Sequence, residues 1–64
     1  MIEKIKSKIE RVKKGIELFE DMRDKSDIKT VKTAYTMVII DSQLHLSDLE
    51  ELLDLALQEK NVIL

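Results

Sequence analysis

The sequence lacks cysteine and proline, and it has only one glycine, one histidine and two aromatic residues. Without cysteine the chain can form neither disulfides nor thiolate metal sites. A single histidine argues against structural zinc, because such sites take four ligands drawn mostly from Cys and His. Two aromatic side chains leave little surface on which nucleic acid bases could stack. The sequence therefore predicts a protein without a cofactor or a metal.

Long apolar runs and a strong net charge are also missing. The longest apolar run is Met37 to Ile40, whereas a membrane helix needs roughly 20 apolar residues. The chain is charged from Glu3 onward and shows no apolar signal core. A formal net charge of -2 gives no global attraction to nucleic acid or to an anionic membrane. We therefore expect cytoplasmic residence and no membrane contact.

The length of 64 residues predicts one domain, which spans residues 1–64. A chain of this size buries only about 60% of the surface that its unfolded form exposes, and it is marginally stable alone. Disulfides, metals and oligomerisation are the usual aids for such small chains. Since the first two are absent or disfavoured, we expect a homo-oligomer, either a dimer or a tetramer.

Residues 2–24 show the apolar pattern of a coiled-coil helix. Apolar residues recur at steps of three and four, and most of the positions between them are charged. These apolar residues are Ile2, Ile5, Ile9, Val12, Ile16 and Phe19. Gly15 costs roughly 1 kcal/mol relative to alanine in such a helix. It marks either a tolerated cost or the close approach of a neighbour, and a hinge is the less favoured alternative.

A polar cluster at residues 24–27 separates this helix from the next one. Ser26 or Asp27 can cap the second helix, predicted over residues 28–43, by accepting a backbone N–H. The short connection makes neighbouring helices antiparallel. Threonine and β-branched residues raise a strand alternative from Tyr35 to Ile40. The helical period upstream and the absence of alternation favour the helix.

Residues 44–57 contain seven leucines, no glycine and no β-branched residue, a composition that is strongly helical. Ser47 and Glu50 match a capping box, in which each side chain caps the other's free backbone N–H. This motif favours a break near residues 45–47 and a third helix over residues 48–60. The alternative is one unbroken helix over residues 28–60. The apolar tail at residues 61–64 is either frayed or covered by a partner.

The fold class predicted from these segments is all-α. We expect an antiparallel helical hairpin elaborated to three helices (about 2–24, 28–43 and 48–60) that assembles into an oligomeric helical bundle. Charge is segregated along the chain, with a net charge of +4 over residues 1–14 and −5 over residues 41–64. An antiparallel arrangement places these two regions side by side, and like-charge repulsion disfavours the alternatives.

The apolar surface of residues 37–57 exceeds what one neighbouring helix can cover. An exposed patch of that size on a monomer would aggregate or bind something. We therefore expect a small non-catalytic interaction protein, of the regulator or adaptor type, that forms homo-oligomers, binds a partner helix, or does both. The predicted interface residues are Met37, Ile39, Ile40, Leu46, Leu49, Leu52, Leu53, Leu55 and Leu57.

A basic N-terminal helix supports an alternative function. In a symmetric oligomer its positive side chains could contact the phosphates of a nucleic acid. The residues concerned are Lys4, Lys6, Lys8, Arg11, Lys13 and Lys14. Interspersed Glu3 and Glu10, and the spread of the basic residues over several helix faces, favour instead a solvated surface that pairs with the acidic end of the chain.

Asp41, His45 and Asp48 would share one face of an unbroken helix and could hold a metal there. The more ordinary interpretation is a solvated Asp–His pair near a helix end. Asp41 and His45 could also form a general-base pair, but no nucleophile is placed beside them. A chain of 64 residues leaves little room for a concave pocket. We expect no enzyme activity.

Overall fold

The computed structural model describes the backbone of residues 1–62 and the side chains of residues 1–59, and within this part it shows two α-helices and no strand. Helix α1 is Ile2–Lys25 (24 residues) and helix α2 is Lys29–Val62 (34 residues). The strand alternative from Tyr35 to Ile40 is therefore wrong. Residues 63–64 of the predicted tail lie outside the described residues. Neither described helix is long and apolar enough to cross a membrane.

The apolar pattern predicted for α1 is confirmed. Ile5, Ile9 and Ile16 are buried, and the three other apolar residues of the pattern are half-buried. Their spacing of three and four residues places them on the face that meets α2. A Cβ added at Gly15 would meet nothing within 4 Å. The close-approach interpretation of this glycine is therefore wrong for the hairpin, and the glycine is a tolerated cost.

The connection between the helices consists of Ser26, Asp27 and Ile28. The Ser26 N–H donates to the carbonyl oxygen of Arg23 at 3.2 Å, and Ser26 then turns to extended backbone. The Ile28 N–H donates to the Ser26 hydroxyl oxygen at 3.3 Å. The serine side chain thus satisfies a donor at the residue before α2, where free N–H groups collect. Three residues are enough only for an antiparallel hairpin.

The predicted break near residues 45–47 is wrong, because α2 runs without interruption through Ser47. Capping-box sequences also occur inside helices, and no glycine or proline in this segment stops the backbone ladder. A break would leave free N–H and C=O groups on both sides of it. The part of the chain that the structure describes is therefore a two-helix hairpin, and the three-helix arrangement is not observed there.

Continuity of α2 keeps a second row of residues facing α1. Its members follow one another at steps of four and three, and each is buried or half-buried. The row consists of Tyr35, Ile39, Ser42, Leu46, Leu49, Leu53 and Ala56. Ile5, Ile9 and Leu49 form the buried cluster, with Val12, Leu46, Leu53 and Ala56 packed against it. The core is thus a single seam between two helices.

Two contacts fix the register of the hairpin. The rings of Phe19 and Tyr35 lie 6.1 Å apart near the connection, and Ile5 packs with Leu49 near the open end. At 1.5 Å per residue, α1 is about 36 Å long and α2 about 51 Å. The last turns of α2 therefore extend beyond the start of α1. The described chain is a rod with extents of 55 × 15 × 11 Å.

Candidate protein interaction surface

The nine residues predicted for an interface divide between two sides of α2. Ile39 and Leu49 are buried against α1, and Leu46 and Leu53 are half-buried beside them. The other five are exposed, and these are Met37, Ile40, Leu52, Leu55 and Leu57. The structure therefore gives the first group to the core of the hairpin and leaves the second group available for a partner.

The most exposed apolar residues in the middle of α2 lie on the side that faces away from α1. Met37, Ile40 and Leu44 have exposed fractions of 64%, 50% and 62%. Steps of three and four residues align them in one row on the helix surface. The same row continues through Asp48 and Glu51 to Leu55. We call these six residues the outer stripe.

Leu44 was missing from the predicted interface set, although it is among the most exposed leucines of the described chain. The signal that could have found it is its spacing, four residues after Ile40 and seven after Met37. The predicted break obscured this signal, because it placed Leu44 at the end of one helix. On a continuous helix, Leu44 extends the apolar part of the outer stripe by one turn.

Charge along α2 changes sign from one end to the other. Lys29 and Lys32 lie in the first turn, which contains no acidic residue. A helix N-terminus carries partial positive charge, so lysines there are unfavourable by about 0.3–1 kcal/mol each. The segment from Asp48 to Asp54 carries four acidic side chains and no basic one. All of these charged side chains are exposed.

A shallow groove lies where the two helices meet near the open end. Its volume is about 220 Å³, and its lining is mainly apolar. The lining residues are Met1, Lys4, Ile5, Lys8, Leu49 and Leu52. Lys4 and Lys8 border it on the α1 side only. The groove is open to solvent, so it offers contact area to a partner rather than an enclosed ligand site.

The six basic residues predicted as nucleic-acid contacts are all exposed. The ion pairs that the structure describes involve other residues, Arg23 with Asp24 at 3.3 Å and Lys25 with Asp21 at 2.9 Å. The antiparallel hairpin does set the basic half of α1 beside the acidic half of α2. Within the described residues this proximity produces no ion pair between the two helices. The basic side chains extend into solvent.

Asp41, His45 and Asp48 are exposed along one side of the continuous helix. Within the residues that the structure describes, no three histidine or acidic side chains are placed to hold a metal together. The spacing considered in the sequence therefore does not assemble a ligand set. Comparisons of the chain with protein-family models, with curated proteins and with solved structures found no match.

Proposed function

We propose that the protein is a small non-catalytic interaction module that acts through the outward-facing apolar surface of α2, by self-association, by binding a partner helix, or by both. One observation carries this proposal. Seven large apolar side chains between residues 37 and 57 are exposed after the hairpin has formed. They are Met37, Val38, Ile40, Leu44, Leu52, Leu55 and Leu57.

Within residues 1–62 the hairpin has no further helix with which to cover these side chains. Only five residues of the described chain are buried, and the rod is two helices thick. Apolar residues scattered singly on a surface need no explanation, but a contiguous row on one helix face marks a site of association. A helix that is apolar on two sides packs against two neighbours, and α1 supplies one of them.

The test replaces the centre of this surface without touching the core. In the variant Met37→Lys/Leu44→Lys, two exposed apolar side chains become charged. Light scattering over a series from about 10 μM to about 1 mM measures the solution mass, since weak interfaces fall in this affinity range. Affinity capture identifies proteins that the chain retains. We expect the wild type to self-associate or to retain a partner, and the variant to lose that association.

The matched control is Ser7→Lys/Glu10→Gln on the exposed side of α1, which makes the same change in net charge without removing apolar surface. It should keep the association, and circular dichroism should show the same helix content in all three proteins. A wild type that stays at 7.5 kDa and retains nothing that the Met37→Lys/Leu44→Lys variant loses would overturn the proposal.

A second candidate function is nucleic-acid binding through α1. The observation that favours it is the exposure of all six basic residues of the N-terminal half, none of which is held in an ion pair of the described residues. Phosphate contacts weaken steeply as salt rises. A gel shift of DNA or RNA at low salt that disappears at physiological salt and in Lys4→Glu/Lys8→Glu would support it. Absence of a shift at low salt would exclude it.

A further inference from the structure

We infer that the partner of the outer stripe is a second copy of this chain, docked antiparallel so that the two α2 helices cross a two-fold axis near Ile40. This inference rests on the proposed function and names the occupant of the same surface. A two-fold interface is self-complementary, since each residue i that contacts j is matched by j contacting i. The pattern of the outer stripe meets that condition in one register.

The apolar part of the stripe is centred on Ile40 when two copies run in opposite directions. Ile40 of one copy then lies level with Ile40 of the other. Met37 of each copy lies within one residue of the level of the other copy's Leu44. These three side chains are each at least half exposed in the hairpin. The register therefore covers the largest apolar surface at the middle of α2 with identical surface from the second copy.

The same register pairs opposite charges at both ends of the contact. Lys29 lies level with Glu51 of the second copy and on the same flank of the contact, whereas Lys32 lies on a side of α2 away from the outer stripe. Lys29 is at the positive end of the α2 dipole, where the first turn contains no acidic residue. The Glu51 carboxylate of the second copy compensates this charge. A parallel pair would instead set Lys29 and Glu51 each against its own twin.

The length of the contact sets the expected strength of the dimer. Residues 29–51 span about 33 Å of helix, and paired helices lie 8–10 Å apart. The footprint is a strip of roughly 400 Å² per copy, which is smaller than the about 800 Å² of a standard stable interface. We therefore expect a dimer that forms at micromolar or higher concentration and exchanges with monomer.

Cysteine cross-linking tests the register directly. The 64-residue sequence has no cysteine, so each introduced cysteine is the only thiol of its variant. Ile40→Cys should form a disulfide-linked dimer under mild oxidation, since the two Cα atoms face each other across the axis. Met37→Cys alone should not, because the twin residues are displaced by about 9 Å along the helices, beyond disulfide reach. An equimolar mixture of Met37→Cys and Leu44→Cys should give the mixed dimer.

Leu55→Cys is the matched control, a stripe residue with an exposed side chain that lies about 45 Å from its twin in this register. It should form no disulfide-linked dimer under the same oxidation and at the same concentration. Linking of Met37→Cys and Leu44→Cys each with itself would show a parallel pair and overturn the inference. Preferential linking of Leu52→Cys would place the contact at the groove instead and overturn it as well.

Charge reversal tests the ends of the contact. Glu51→Lys should raise the dissociation constant on the order of tenfold. It removes both symmetry-related Lys29–Glu51 pairs, and each exposed pair contributes modestly. Lys29→Glu/Glu51→Lys should restore it, whereas Glu17→Lys on the far side of α1 should not change it. Asp41→Asn should tighten the dimer, since the two Asp41 side chains lie near the axis on the same flank. Failure of the rescue would overturn the pairing.

The outcomes separate this inference from the proposed function. A wild type that dimerises while Ile40→Cys fails to link would overturn the register and leave the interaction function standing. A monomer at about 1 mM that retains a different protein through Met37 and Leu44 would overturn the second copy as partner and leave the function standing. Only a monomer that retains nothing would overturn both.

Discussion

At the scale of the residue, Gly15 offers the simplest test of the hairpin. A Cβ built at this position meets nothing within 4 Å, and the backbone is ordinary α-helix. Glycine inside a helix costs about 1 kcal/mol relative to alanine, mainly because it loses more backbone freedom on folding. We expect Gly15→Ala to raise the free energy of unfolding by about 1 kcal/mol, measured by urea denaturation.

The measurement for Gly15→Ala should be made at low protein concentration, where an isolated hairpin is the unit that unfolds. Ser7→Ala provides a reference for an exposed site on the same helix, where the change should stabilise the protein by only a few tenths of a kcal/mol. A loss of stability in Gly15→Ala would contradict the prediction. It would mean that some neighbour occupies the space beside Gly15 in solution, and that the glycine is needed for a close contact after all.

At the scale of the element, α1 could be predicted from sequence almost completely, whereas α2 could be predicted only in type. The six apolar residues of α1 show the steps of three and four openly. In α2 the corresponding row contains Ser42 and Ala56, and exposed apolar residues such as Leu44 lie on the opposite side of the helix. Apolar side chains on both sides of the helix hide the period that identifies the side facing α1.

The variant Ser47→Ala distinguishes a continuous α2 from two shorter helices, because it changes the free energy of unfolding in opposite directions in the two cases. As the N-cap of a separate helix, serine replaced by alanine would cost about 1 kcal/mol. In the interior of a continuous helix, the same substitution replaces an exposed serine with alanine, the residue of highest helix propensity. We expect Ser47→Ala to stabilise the protein by a few tenths of a kcal/mol, again measured by denaturation. Destabilisation by about 1 kcal/mol would restore the predicted break.

At the scale of the whole molecule, the hairpin is extended and has little core. Its Cα radius of gyration is 15.5 Å, whereas a compact domain of the same length has about 11 Å. The sequence does show that apolar residues exceed what one hairpin can bury. It does not show which leucines face α1, because that depends on the register set by Phe19 with Tyr35 and on a serine inside the seam.

Stability of so small a core should depend on few side chains. Leu49 and Leu44 are the same residue type on the same helix, but their exposed fractions are 7% and 62%. Large-to-small substitutions in a core cost about 2–5 kcal/mol. We expect Leu49→Ala to lower the free energy of unfolding by about 2–3 kcal/mol, which removes much of the stability of a small domain.

The matched variant Leu44→Ala should change the free energy of unfolding of the monomer by less than about 0.5 kcal/mol. It should instead weaken self-association, which light scattering measures at higher concentration. Equal losses of stability for the two variants in dilute solution would contradict the assignment of Leu49 to the core and of Leu44 to the outer stripe.

The hairpin is closed by different means at its two ends. Near the connection, Phe19 and Tyr35 come together across a short loop, so their contact costs little chain entropy. At the open end, Ile5 and Leu49 enclose most of the chain between them, and closing that longer loop costs roughly 1 kcal/mol more. The buried cluster therefore lies at the end of the hairpin where loop closure loses the most chain entropy. Thermal opening should begin at the open end and move toward the connection, so that the two helices separate progressively while residues 26–28 still join them.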